Sequence, residues 1–134
     1  MPVIDIPEPK VKSPKPEISL ELKTLPSEES QVIVHGHFKA SGESHELIRI
    51  WRTTYLIPHD QYHKSRLIHF ENITLYPEWT LIPNGANYRF TLIFSALPKG
   101  CEVFDLIEEI PQSGGFEIRN IKRTKSDVYH LKFG

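Results

Sequence analysis

Tyr88, Phe90, Leu92 and Phe94 alternate with Arg89, Thr91 and Ile93, and the aliphatic run Val103 to Ile110 follows. Successive side chains of a strand point to opposite faces, so this period of two describes a strand with one face on a core. The same period recurs along the chain. Ile18, Leu20 and Leu22 alternate with Ser19, Glu21 and Lys23, and Val32, Val34 and Phe38 alternate with Ile33, His35 and His37. Leu47 to Ile57 is rich in β-branched and aromatic residues with apolar groups on both faces, which predicts a central strand with Trp51 in the core. Leu67 to Leu75, Trp79 to Ile82, Tyr88 to Leu97, Glu102 to Ile110, Phe116 to Ile121 and Val128 to Phe133 supply the remaining strands. Ser41-Gly42-Glu43, Pro83-Asn84-Gly85, Pro98-Lys99-Gly100 and Gln112 to Gly115 are turn signals between them. With no helical periodicity over ten or more residues, the expected fold is all-β: an immunoglobulin-like two-sheet β-sandwich of seven to nine short antiparallel strands.

A chain of 134 residues has room for one such core. Pro2, Pro7, Pro9, Pro14 and Pro16 interrupt the start, so residues 1–16 read as a proline-rich extended or disordered leader and residues 17–134 as a single domain. Sixteen basic and 17 acidic residues leave a formal net charge of -1, which removes any overall attraction to nucleic acid or an anionic membrane. A single cysteine, Cys101, excludes an intrachain disulfide framework and reads as a small hydrophobe at a strand start. Met1 to Asp5 carries neither a basic nor an apolar targeting region, and no apolar run approaches the ~20 residues that span a bilayer, so a cytoplasmic protein is expected.

Phe90-Thr91-Leu92-Ile93-Phe94, Leu97-Pro98-Lys99-Gly100, Phe104-Asp105-Leu106-Ile107-Glu108, Phe116-Glu117-Ile118 and Asn120-Ile121 resemble the C-terminal half of small immunoglobulin-like β-sandwich domains of largely uncharacterised Bacteroidetes proteins. The resemblance is limited to about Phe90 to Ile121. It implies the sandwich fold and, since those domains mostly lack an assigned activity, no particular reaction.

No nucleophile elbow, phosphate loop or metal-ligand spacing occurs in the chain. His35 and His37 share one strand face, and a zinc site is conceivable if His59 or His63 from the polar connection Pro58 to Ser65 folds back over them. Exposed strand and loop histidines are the plainer reading, so no cofactor is expected. Asp105, Glu108 and Glu109 sit beside apolar residues where desolvation could raise a carboxylate's affinity for its proton. Asp105 is expected to accept hydrogen bonds from a neighbouring turn, and Glu108 and Glu109 to be solvated at a strand end. Arg119, Lys122, Arg123 and Lys125 form the strongest local charge asymmetry, able to meet an acidic partner or to occupy a solvated hairpin turn. Tyr129 is the one obvious aromatic neighbour, which makes nucleic acid an unlikely ligand. Val3, Ile4 and Ile6 form a β-prone segment able to add to a sheet edge of a partner or of a second copy. These features favour a non-catalytic binding module or adaptor that engages another protein or itself, with a histidine-dependent metal-binding protein or metalloenzyme as the alternative.

Overall fold

The computed structural model describes residues 30–42 and 46–134. The leader with Val3, Ile4 and Ile6, and the strand expected at Ile18 to Leu22, lie outside them. Nine strands follow in order: β1 Val32–Lys39, β2 Glu46–Ile48, β3 Thr54–Pro58, β4 Ser65–Glu71, β5 Thr80–Ile82, β6 Asn87–Phe94, β7 Val103–Glu108, β8 Glu117–Lys122 and β9 Val128–Phe133. No helix occurs among the described residues, so none is long and apolar enough to cross a membrane. The protein is all-β, with a seven-stranded sheet of order β8-β7-β3-β4-β6-β1-β9 and a two-stranded ribbon of β2 and β5.

Strand patterning carries through to burial. Val32 and Val34 of β1 and Phe90, Leu92 and Phe94 of β6 point inward, while His35, His37, Arg89 and Thr91 point outward, in the register Val34↔Leu92 and His35↔Thr91. A bulge after Leu67 lets β4 serve two neighbours: Ser65 and Arg66 pair with β3, and His69 to Glu71 with β6. The sheet therefore turns at β4 and curls back on itself. Phe104 on β7 meets Tyr129 on β9 edge-on with ring centres 5.2 Å apart, and Phe116 meets Phe133 at 5.0 Å, so strands from opposite ends of the sheet share one core. Phe94, Phe104 and Phe133 are its largest fully buried rings, each stabilising the fold by roughly 1.5–3 kcal/mol relative to exposure. A Cβ at Gly36 would collide with the Phe90 ring beneath it, which explains a glycine inside a strand.

Three expectations change. The pairing is mixed rather than wholly antiparallel: β9 runs parallel to β1, with Val34 opposite Tyr129 and Phe38 opposite Phe133. After β8 the chain does not fold back as a hairpin but crosses to the other end of the sheet. Asp127 adopts a left-handed φ of 55° and its carbonyl accepts from Ile33 N at 2.9 Å, which aligns β9 beside β1. Leu47 to Ile57 is not one strand. It breaks at Trp51 to Thr53, because the Trp51 backbone N–H donates to Glu108 Oε2 at 2.8 Å and Thr54 Oγ1 donates to Trp51 O at 2.7 Å, capturing the groups a continuous ladder would use. Its first part joins the ribbon and its second lies centrally between β4 and β7. Trp51, at the break, is half-buried rather than core.

Candidate functional site

Two residues of the basic cluster, Arg119 and Arg123, are occupied with structure. Arg123 Nε and Nη2 donate to the two carboxylate oxygens of Asp127 at 2.6 and 3.0 Å, and Nη1 donates to Pro98 O and Cys101 O at 2.8 and 3.1 Å. Tyr129 Oη donates to Asp127 Oδ1 at 2.9 Å and accepts from Thr124 N at 3.0 Å. Hydrogen bonding to Asp127 raises the pKa of Arg123, and burial raises that of Tyr129. Arg123 is thus a latch joining the turn to the loop before β7, with its donors engaged inside the chain. Arg119 pairs with Glu117 and donates to Asp105 Oδ2 at 3.0 Å. Lys122 and Lys125 are exposed and make no ion pair among the described residues.

Asp105 is a hub. Its carboxylate accepts from His59 Nε2 at 2.8 Å, Asn120 N at 2.8 Å and Arg119. Burial alone would raise its pKa, but the hydrogen bonds from His59 and Asn120 outweigh that and hold it below the usual aspartate value. Glu108 departs from the solvated position expected of it. It is 7% exposed, accepts from Trp51 N and Phe116 N at 2.8 and 3.0 Å, and is pushed up in pKa by burial. Gly115 permits this, since a Cβ there would lie 2.5 Å from Glu108 O. Glu109 remains at the surface, where Lys64 Nζ donates to both its oxygens at 3.0 Å. Cys101 is buried beside β7 with its thiol pKa raised by burial.

The histidines do not assemble as the zinc hypothesis requires. His59 is tied to Asp105, and His63 Nε2 stands 2.9 Å from Ser65 Oγ and 3.2 Å from Ala96 O. His35 and His37 do share a face, and their companion is His130 of β9: ring centres of His35 and His130 lie 5.1 Å apart, and those of His37 and His130 6.0 Å. Sequence spacing could not find His130, because the parallel β1–β9 pairing brings it there. No three His, Cys, Asp or Glu side chains among the described residues are grouped so as to hold a metal ion.

Sequence reasoning also missed the outward face of the ribbon. Leu47 opposes Leu81 across β2 and β5, and both are more than half exposed, at 51% and 59%. Just beyond the ends of these strands, two residues from Leu47 and Leu81, stand Arg49 and Trp79. The Arg49 guanidinium lies 3.7 Å from the Trp79 ring centre and 4.6 Å from that of Tyr76. Tyr76 in turn stacks on Trp51 at 3.8 Å. Trp51, Tyr76, Arg49 and Trp79 thus form a ladder of stacked planes, which cation–π attraction orders at roughly 0.5–2 kcal/mol per contact. Arg49 Nη1 donates to Pro77 O at 3.2 Å, fixing the guanidinium, while Tyr76 and Trp79 stay 48% and 51% exposed. The signal in the sequence is Leu47-x-Arg49-x-Trp51 and Trp79-x-Leu81, two outward rows that mimic core rows in composition.

Comparison with known proteins yields no match: no family model, no curated protein and no solved structure is significantly similar to this chain.

Proposed function

We propose that the chain is an immunoglobulin-like β-sandwich and a non-catalytic binding module that engages another protein through the ribbon face. The order supports the fold assignment: β1-β6-β4 and β3-β7-β8 run as the B-E-D and C-F-G rows of a constant-type sandwich, with β9 where the first strand would stand beside β1. The observation that carries the function is the contiguous exposed surface of Leu47, Leu81, Tyr76 and Trp79 around a ring-clamped Arg49. Trp, Tyr and Arg are the residue types that dominate binding energy at protein interfaces, and a pre-stacked ladder loses little side-chain freedom on contact. The single buried cysteine suits a reducing, cytoplasmic setting.

Quantitative pull-down with the wild type, the double variant Arg49→Ala/Trp79→Ala and the control Lys122→Ala/Lys125→Ala tests this, with light scattering on each to read self-association. A protein partner, or a dimer, kept by wild type and control and weakened by about 30-fold or more in the ladder variant is expected. Equal recovery by all three would overturn it.

A further inference from the structure

The large sheet presents a second surface, unrelated to the ribbon. On its outward side β9 contributes His130 and Lys132, β1 contributes His35, His37 and Lys39, β6 contributes Arg89, and β4 contributes His69 and Glu71. Register sets them in rows: His130 and Thr91 flank His35, then Lys132 and Arg89 flank His37. Rows two residues apart on a strand lie roughly 6.6 Å from each other. Two shallow hollows meet here and share His37, Arg89 and His130 as lining. His35 Nδ1 is fixed 3.0 Å from Thr91 Oγ1, and Glu71, the one carboxylate on this side of the four strands, pairs with His69 at 3.3 Å. Arg66 stands at the far end of β4, beside Ser95.

We propose that this face binds a single strand of nucleic acid, with Arg89, Lys39 and Lys132 engaging phosphates and the His35, His37 and His130 imidazoles adding hydrogen-bonding groups and stacking surface. Charge complementarity selects the ligand, since three fixed cations stand beside three imidazoles with one carboxylate already paired. The face is open and shallow, which suits a strand laid along it, and imidazole and guanidinium planes are surfaces on which unpaired bases stack. A net charge of -1 concealed this concentration, because the cations come from strands far apart in sequence.

Fluorescence anisotropy of a short labelled oligothymidine at low ionic strength tests the proposal. Binding is expected, with an affinity that falls steeply with added salt. Arg89→Ala should weaken it. His35→Gln/His37→Gln/His130→Gln should weaken it by about fivefold or more, whereas Lys122→Ala/Lys125→Ala should keep it. Should the triple variant fail to fold, His130→Gln alone, at an exposed edge-strand position, should reduce the affinity. Absence of binding, binding that survives both Arg89→Ala and loss of these histidines, or binding of inorganic polyphosphate without binding of the oligonucleotide would overturn it.

Discussion

Arg123 stands in a basic cluster and Arg49 in an apolar run, and the fold uses them in opposite ways. Arg123 spends its donors on Asp127, Pro98 O and Cys101 O and is largely enclosed. Arg49 makes one hydrogen bond, to Pro77 O, and is otherwise held by the faces of Trp79 and Tyr76. An arginine whose edge is saturated closes a structure. One whose faces are clamped between half-exposed rings keeps its edge for something else. A charge cluster in sequence is therefore poor evidence of a binding site until the hydrogen bonds of its members are known.

That contrast is sharpest in stability. Arg123→Ala strips a buried ion pair and leaves Asp127 beside Tyr129 without its cation, so denaturant unfolding should show a loss of about 3 kcal/mol. Arg49→Ala, at the surface ladder, should cost under about 1 kcal/mol in the same measurement. Comparable losses would show that the ladder is as structural as the latch.

Glu108 ties the ladder's backbone to the core, since its oxygens accept from Trp51 N and Phe116 N. Glu108→Gln puts an amide N–H against one of those donors and should destabilise by roughly 1–3 kcal/mol. It should also shift the ring signals of Trp51 in NMR spectra, because the ladder hangs on that backbone. Unchanged Trp51 resonances would separate ladder from core. The pH dependence follows from burial raising the Glu108 pKa: the folded state holds its proton more tightly than the unfolded one. The wild type thus loses stability as pH rises from the ordinary glutamate range through the folded value, a slope that the Gln variant should lack.

A smaller effect than that of Arg123 belongs to Asp105, whose hydrogen bonds hold its pKa below the ordinary value. A depressed carboxylate contributes stability that is present above the unfolded pKa and lost as pH falls through the folded one. Asp105→Asn should therefore be destabilising near neutrality by about 1 kcal/mol, with the difference from wild type shrinking below about pH 4. A difference that stays constant with pH would mean that His59 and Arg119 are arranged by packing alone.

Much of this was legible in the residues. The alternation of β1, β6 and β9, the turns at Pro83 to Gly85 and Pro98 to Gly100, and the acceptor role of Asp105 follow from local pattern. What was not legible involves partners distant along the chain. Trp51 reads as core because a tryptophan within an apolar run normally is, and only its backbone bond to Glu108, 57 positions away, breaks the strand and turns the ring outward onto Tyr76. His130 joins His35 and His37 through a parallel pairing that no local spacing encodes.

By itself, then, the amino-acid order determined that the described chain is built of short strands, which residues of β1 and β6 face inward and where the tight turns fall, because side-chain alternation and backbone restrictions act over a few residues. Tertiary structure decided which strands pair, that β9 runs parallel to β1, that Arg123 is a latch and that Arg49 is clamped within an exposed ladder. Those outcomes depend on hydrogen bonds and ring contacts between residues tens of positions apart, and each residue alone is compatible with several such partners.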